Sequence, residues 1–172
     1  MSFHSNRSQV QGLKTLMAEE IERKFLVNGD TWKKCATGLY CRQGYLCLEN
    51  ERVVRVRNIE GNGFLTIKGI SKGIKRPEYE YKIPVEDANE ILDYLCKRPL
   101  IEKKRYITIY QGAKWEIDEF MGENKGLIIA EVELGCENQK IILPEWVGKE
   151  VSGDPRYYNA GLVKYPYKAW KK

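Results

Sequence analysis

The sequence is nearly without histidine: its single one, His4, lies in a polar N-terminal stretch. This excludes His-ligated zinc, a Ser–His or Cys–His nucleophile pair and a histidine general base from the body of the chain. Any chemistry must therefore come from carboxylates, lysine, arginine and tyrosine. Carboxylates favour Mg²⁺ or Mn²⁺, whereas clusters of lysine and arginine favour phosphate.

The sequence also lacks paired cysteines and long apolar runs. Its five cysteines are an odd number and form no CxxC pair, which is typical of reduced thiols in a cytoplasm. No apolar run approaches the roughly 20 residues that cross a bilayer. The N-terminus has no apolar segment typical of a signal peptide. We therefore predict a cytoplasmic protein without a membrane span.

The chain of 172 residues is short enough for one domain and has an unusually ionic composition, with 31% charged residues and a net charge of +5. Residues 1–16 are rich in Ser, Gln and Asn and show no periodicity, so we expect a disordered extension before a domain over residues 17–172. Basic chains can bind nucleic acid. Here, many cations share strand faces with acids, so nucleic acid is not the expected partner.

Ionisable residues alternate with apolar or aromatic ones in several segments, as on the two faces of β-strands. The ionisable faces hold Glu20, Glu22 and Lys24; Arg55 and Arg57; Lys68; Glu78, Glu80 and Lys82; Lys103 and Arg105; Glu116 and Asp118; and Glu131 and Glu133. An antiparallel sheet with one solvated face gives this pattern by default. However, the polar face is almost wholly ionisable, and the apolar face must be shielded from water by other parts of the chain. Both facts favour a closed barrel, charged inside and packed by helices outside.

The remaining pattern predicts strands and three helices. We expect strands at about residues 43–49, 51–59, 63–69, 78–83, 101–111, 113–120 and 127–134. A helix from Pro84 to about Lys97 carries an apolar stripe of Ala88, Ile91, Leu92 and Leu95. Pro144 is expected to start a short helix, and Asp154-Pro155 a C-terminal one that ends near Gly161.

The charged segments resemble, in order, the motifs of the CYTH domains, the triphosphate tunnel metalloenzymes. Glu20-Ile21-Glu22-Arg23-Lys24 is similar to the ExExK signature of that family. The resemblance continues through residues 43–46, 55–57, 65–69, 78–81, 103–106, 115–120, 130–134 and 151–157. It therefore covers the chain from about Ala18 to the C-terminus.

The resemblance implies a mainly β fold with flanking helices (α+β): a closed eight-stranded antiparallel β-barrel that forms a charged tunnel. It also implies a metal-dependent hydrolase that cleaves the terminal phosphate of a triphosphate, with inorganic tripolyphosphate as the expected substrate and Mg²⁺ or Mn²⁺ as the cofactor. Thiamine triphosphatase, tunnel-type adenylate cyclase and a non-catalytic polyphosphate-binding module are the alternatives. A homodimer is left open.

Each site residue has an expected role in this reading. A linear triphosphate needs cations spread along a channel, and four strand segments supply Lys24, Arg55, Arg57, Lys68, Lys103 and Arg105. The acids expected around the metal are Glu20, Glu22, Asp118, Glu131 and Glu133. Among these residues Lys24, Arg57 and Glu133 are predicted to act in catalysis. Supporting contacts are expected from Glu78, Glu80, Lys82 and Glu116.

Overall fold

The computed structural model describes residues 21–35, 37–49, 52–70, 77–136 and 138–170, without the side chains of Lys34 and Cys35. Within these ranges the chain forms one antiparallel sheet of nine strands with short helices around it. The mainly β prediction with flanking helices is therefore confirmed. Glu20 and the predicted extension lie outside the described residues. The strands are β1 Ile21–Val27, β2 Gly38–Leu48, β3 Val53–Ile59, β4 Asn62–Lys68, β5 Glu78–Ile83, β6 Ile101–Tyr110, β7 Ala113–Phe120, β8 Ile128–Leu134 and β9 Val147–Glu150.

The strand order is β5-β4-β3-β2-β6-β7-β8-β1-β9. Neighbours in sequence pair from β2 to β5 and from β6 to β8, as short hairpin connections favour. Within the described chain, β5 and β9 end the sheet, so its hydrogen bonds do not close on themselves. The prediction of a closed eight-stranded barrel is wrong in this respect, although the strands are antiparallel as expected.

The ninth strand lies where a helix from Pro144 was expected. The N–H of Val147 donates to the carbonyl oxygen of Pro144 at 3.0 Å, which closes a single turn. The chain then runs along β1, with Phe25 opposite Glu150 and Val27 opposite Val147. The helix prediction was wrong because this proline opens a turn, and the edge of β1 pairs the residues that follow.

The helix predicted over residues 84–97 divides into α1, Val85–Glu90, and a π-helical turn, Ile91–Leu95. Ala88 and Leu92 are fully buried, so this part of the apolar stripe packs on the sheet as expected. Leu95 is 65% exposed. The N–H of Cys96 bonds to the carbonyl oxygen of Ile91, an i→i+5 contact that widens the turn and rotates Leu95 off the stripe.

The C-terminal helix also divides into two parts. A 3₁₀ turn over Pro155–Tyr157 is capped by the Asp154 carboxylate, which accepts from the N–H of Arg156 at 3.0 Å. Tyr158 is extended, and α2 follows over Asn159–Lys164. Both α1 and α2 have six residues, and among the described residues no helix has the length and apolarity to cross a membrane.

The apolar face of the sheet packs beneath these covering segments. Trp115, Ile117 and Val132 are fully or almost fully buried in a cluster with Phe25 and Trp32. Leu162 and Val163 of α2 pack on a second cluster that includes Ile101 and Ile129, and α1 covers a third cluster around Val56. This packing fixes which face of each strand is apolar, and it leaves the charged face on the opposite, concave side.

Candidate active site

The charged face of the sheet lines an open cavity of about 950 Å³. All strands from β1 to β8 contribute side chains to it, and residues after β9 complete its wall. Its charged lining consists of Glu22, Lys24, Arg55, Arg57, Lys68, Glu78, Glu80, Lys103, Arg105, Lys114, Glu116, Glu131 and Glu133. The alternation in the sequence therefore brings together most of the predicted site residues on one surface.

Two predicted residues do not line this cavity. Lys82 lies at the exposed end of β5 opposite Phe64, so it extends beyond the charged surface. Asp118 has no exposed surface and lies beneath the cavity wall. Glu20 lies outside the described residues, and its expected place beside Glu22 stays a prediction.

Asp118 anchors two of the cavity's cations from below. One of its carboxylate oxygens, Oδ2, lies 2.5 Å from Nζ of Lys103 and 2.7 Å from Nη2 of Arg105, and the other accepts from Nε of Arg105 at 2.7 Å. Burial alone would raise the pKa of Asp118, but the charges of Lys103 and Arg105 outweigh it and hold the pKa well below its ordinary value. Both oxygens are therefore engaged with cations in this structure.

Lys24 lies between two carboxylates at the wall formed by β1 and β8. Its ammonium is 2.6 Å from Oε1 of Glu22 and 2.5 Å from Oε1 of Glu131, which is the residue opposite it in the sheet. Burial works against the charged form, yet Glu131 and Glu22 raise the pKa of Lys24 above its ordinary value. Lys24 is therefore a permanent cation. Arg105 also reaches Oε2 of Glu131, at 3.1 Å.

The opposite wall carries Arg55, Arg57 and Lys68 together with two carboxylates. Glu80 pairs with Arg57 and accepts from the Thr66 hydroxyl at 2.8 Å, while Lys68 lies 2.7 Å from Glu78. Burial opposes ionisation of Glu80, but Arg57 and the Thr66 hydroxyl outweigh it and lower the pKa of Glu80. These two acids thus hold the cations of this wall in place.

Arg55 and Arg57 carry hydrogen-bonding capacity that the described residues do not use. The Nε atom of each is buried and has no hydrogen-bond partner within the described part of the chain. Arg55 lies 3.7 Å from Glu78 and 3.8 Å from Glu80, at the limit of an ion pair. Burial, followed by repulsion from Arg57, lowers the pKa of Arg55. Because both guanidinium groups line the cavity, an anion bound there would accept hydrogen bonds from them and neutralise their charge.

The other acids face one another across strands. Glu22 lies opposite Glu133, and Glu116 lies opposite Glu131. Carboxylate oxygens are the ligands that hard divalent cations prefer, so the chemistry of Glu22, Glu131 and Glu133 fits such an ion. The described residues contain no group of three or more His, Cys, Asp or Glu side chains already arranged to hold a metal ion.

Sequence reasoning missed several residues of the cavity wall. Lys114 precedes Glu116 by two positions on β7, so extending the alternation would have found it. Gln43 and Tyr45 lie within residues 43–46, one of the segments that resemble the family, but their residue types indicated no role in phosphate or metal binding. Ser152 and Tyr158 come from an irregular segment, where no periodicity indicates which way a side chain points.

Comparisons with known proteins agree with this geometry. The family model described as the CYTH domain matches residues 18–158. The inorganic triphosphatase of Acetivibrio thermocellus is 55% identical over 156 residues, which cover 91% of this chain and all of that protein. The inorganic triphosphatase of Nitrosomonas europaea is 36% identical over 152 residues, covering 84% of this chain and 96% of that protein.

Solved structures show the same fold. The crystal structure of the inorganic triphosphatase NE1496 superimposes with a TM-score of 0.64 at 34% identity, covering 84% of this chain and 93% of that one. The PH1012 protein from Pyrococcus horikoshii gives a TM-score of 0.53 at 24% identity over 69% of this chain and 80% of that one, which shows the fold alone. With a family match over residues 18–158 and these relatives, the chain belongs to the CYTH domain family.

Proposed function

We propose that this protein is a metal-dependent triphosphatase that hydrolyses the terminal phosphate of inorganic tripolyphosphate. The observation that carries the proposal is that Arg55 and Arg57, whose buried Nε atoms have no partner within the described residues, line a cavity together with further cations. Two close relatives bear the name inorganic triphosphatase, which supports the same activity for this chain.

The cations are spread over several strands of the cavity, as a linear polyanion requires. Arg55, Arg57 and Lys68 form one group, and Lys24, Lys103 and Arg105 form the other. Arginine offers paired N–H donors to phosphate, and lysine adds a compact charge. A phosphate chain that extends along the cavity and contacts both groups would have its charge neutralised along its length.

The CYTH family consists of metal-dependent enzymes, and we propose Mg²⁺ or Mn²⁺ for this chain. Glu22, Glu131 and Glu133 would hold the ion, together with Glu20 if it extends the same face of β1. The ion would neutralise phosphate charge and activate a water molecule when bound. We assign Asp118 to anchoring Lys103 and Arg105, because it contacts both cations, has no exposed surface and does not line the cavity as Glu131 does.

The chain's own residues contribute positioning and charge, which carry most of the catalysis in phosphoryl transfer. Lys24 and Arg57 would bind the phosphate oxygens of the substrate. Glu78 and Glu80 would keep the cations of their wall extended towards the substrate, since they pair with Lys68 and Arg57. Glu133, whose carboxylate is exposed to the cavity, would orient the attacking water.

The described cysteines bear on the compartment of the protein. Cys41, Cys47, Cys96 and Cys136, the cysteines with described side chains, are free thiols. Free thiols support a reducing compartment such as the cytoplasm. A homodimer stays a prediction.

The activity is tested by phosphate release from tripolyphosphate, ATP and thiamine triphosphate, each with Mg²⁺, with Mn²⁺ or with a chelator. We expect release from tripolyphosphate with either metal, little from the other two compounds, and none with chelator. Arg57→Ala should abolish most of the release, whereas the control Arg52→Ala, which removes a largely exposed arginine outside the cavity, should not. Tripolyphosphate that binds without being cleaved would identify a binding module instead.

A further inference from the structure

Lys24 is held from three sides by residues 151–158. Within this segment, Ser152 lies 128 positions further along the chain than Lys24. Its backbone N–H donates to Oγ of Ser152 at 3.0 Å, and its carbonyl oxygen accepts from the N–H of Val151 at 2.8 Å. Its ammonium lies 5.8 Å from the centre of the Tyr158 ring. The regular pairing of β9 with β1 involves Phe25 and Val27, with a register shift between them. On the β8 side Lys24 pairs regularly with Glu131. On the β9 side these particular contacts take the place of a regular strand ladder.

Ser152 is itself fixed by a neighbouring ion pair. Its hydroxyl donates to Oε1 of Glu150 at 2.7 Å, and Glu150 accepts from Nε and Nη2 of Arg23 at 2.9 and 2.6 Å. A serine hydroxyl has one proton to donate and lone pairs to accept with, so the contacts to Glu150 and to the N–H of Lys24 are compatible. Ser152, which contacts the backbone of Lys24, is thus held by Glu150, and Glu150 is held in turn by Arg23 of β1.

Tyr158 is fixed at both ends. Its hydroxyl donates to the carbonyl oxygen of Ser152 at 2.6 Å, and its backbone leads directly into α2, whose Leu162 and Val163 are buried. The ring therefore faces the cavity beside Lys24 and cannot turn away without breaking this hydrogen bond or moving the helix.

We propose that Ser152 and Tyr158 are positioning residues that aim the Lys24 ammonium at the substrate phosphate; this inference rests on the proposed function. Lysine has a flexible four-carbon stem and three ammonium donors. Glu22 and Glu131 engage the ammonium from the β1 and β8 side, and the Tyr158 ring limits its movement on another side. One of the three N–H donors of the ammonium then remains for a phosphate oxygen. The two carboxylates alone do not fix its direction, and the Tyr158 ring does so from another side.

The first test is calorimetric titration of tripolyphosphate into the metal-free protein, with the wild type, Tyr158→Leu, Lys24→Ala and the double variant. We expect Tyr158→Leu to weaken binding roughly threefold to tenfold, as for the loss of a partly buried cation–π contact. In the Lys24→Ala background the same change should have no further effect. Equal weakening in both backgrounds would overturn the proposal, because Tyr158 would then act independently of Lys24.

Tyr165→Leu is the matched control. Tyr165 lies in the same C-terminal segment, is 49% exposed, and donates its hydroxyl proton to the carbonyl oxygen of Ala169 at 2.6 Å, away from the cavity lining. Its loss should leave tripolyphosphate binding unchanged. Tyr158→Phe keeps the ring and removes only the hydrogen bond to Ser152, so it should weaken binding less than Tyr158→Leu. It replaces Tyr158→Leu in the titration if the leucine variant fails to fold.

A second test needs no phosphate ligand, so it separates failure of this inference from failure of the proposed function. In NMR spectra of protein with ¹⁵N-labelled lysine ammonium groups, Lys24→Arg identifies the Lys24 signal. We expect Tyr158→Leu to shift this signal, because the ring current is removed, and Tyr165→Leu to leave it unchanged. Hydrogen exchange at the Lys24 amide should be faster in Ser152→Ala and slow again in Ser152→Thr. An unshifted ammonium signal in Tyr158→Leu, or unchanged exchange in Ser152→Ala, would overturn the proposal even if tripolyphosphate fails to bind.

Discussion

Glu22 on β1 and Glu133 on β8 lie directly opposite each other in antiparallel register, and both side chains line the cavity. Two carboxylates in such a pair repel unless a cation lies nearby. Lys24 compensates Glu22 at 2.6 Å in this structure. The facing pair therefore explains both why a lysine belongs two residues after Glu22 and why this corner of the cavity suits a divalent cation.

Removing one charge of this pair should weaken metal binding without harming the fold. Glu22→Gln keeps nearly the same shape and relieves repulsion with Glu133, while Glu131 still pairs with Lys24, so the unfolding midpoint of the metal-free protein should change little. Phosphate release at limiting Mg²⁺ should drop and recover partly at higher Mg²⁺ or with Mn²⁺. A metal titration of the rate, with Glu123→Gln as a control at an exposed acid outside the cavity, checks this. Full activity of Glu22→Gln at limiting metal would show that Glu22 is not a ligand.

Loss of Arg57 should cost substrate affinity rather than stability. Arg57→Ala removes a charge-assisted phosphate contact worth on the order of 1.5–3 kcal/mol. Because Arg57 is among the causes that lower the pKa of Arg55, the change also relieves a repulsion between two partly buried cations. We expect a weaker tripolyphosphate affinity in calorimetry and a nearly unchanged melting temperature. A collapsed fold with normal turnover per folded molecule would instead mean that Arg57 only neutralises Glu80.

Asp118 should matter most for stability. Asp118→Asn removes the carboxylate that pairs with the buried Lys103, whereas Arg105 keeps Glu116 and Glu131, and breaking a buried ion pair in this way costs about 3–5 kcal/mol. The matched control is Glu119→Gln on the next residue, whose partly exposed ion pair with Lys33 should contribute about 1 kcal/mol or less. Urea unfolding of both variants measures the difference. Similar losses would contradict the anchoring role of Asp118.

The ion pair of Glu150 with Arg23 should stabilise the fold only above acidic pH. The hydrogen bond from Arg23, with a smaller contribution from Ser152, lowers the pKa of Glu150 to about 2. A depressed carboxyl pKa stabilises the folded state above the unfolded value of about 4.3, and this contribution is lost as the pH falls towards about 2.

The comparison that checks this is the free energy of unfolding of the wild type and Glu150→Gln. The side chain of Glu150 is 41% exposed, so the difference near neutral pH should not exceed about 1 kcal/mol. It should shrink between about pH 4 and pH 2. A difference that grows on acidification would contradict the assignment.

The segment that carries Tyr158 depends on a close backbone approach at Gly161. A Cβ atom at this position would lie 2.1 Å from the carbonyl oxygen of Pro155, so Gly161→Ala must displace the 3₁₀ turn or α2. We expect a lower melting temperature and weaker tripolyphosphate binding, because Tyr158 moves with the segment. Gly69→Ala, where a Cβ atom would only contact Pro77 at 3.5 Å or more and which lies outside the cavity lining, is the matched control and should change neither. Equal effects of both substitutions would argue against the close approach.

Much of the site could be predicted from the sequence because strand alternation is a local property. The spacing of Arg55 and Arg57, or of Glu131 and Glu133, places each pair on one face whatever the rest of the fold does. The buried partners between them, such as Val56 and Val132, then determine that the charged face is the one turned away from the core. The class of fold and most of the cavity lining follow from this.

Pairing between strands lies beyond such local patterns. Asp118 shares its strand face with Glu116, yet only Glu116 reaches the cavity, since Lys103 and Arg105 cover Asp118. The alternation also gave no indication that β5 and β9 would end the sheet unpaired within the described residues. Both outcomes depend on how the sheet curves and how its strands are staggered.

The sequence by itself determined the chemistry of this protein: no histidine in the body of the chain, carboxylates for a hard cation, and lysines and arginines for phosphate. Only the tertiary structure decided which charges meet, such as Lys24 with Glu22 and Glu131. It also brought Ser152 and Tyr158, which lie far along the chain, into contact with Lys24. The physical reason is that alternation depends on neighbouring residues. The meeting of distant segments depends instead on sheet curvature and on the packing of α2, which no local pattern encodes.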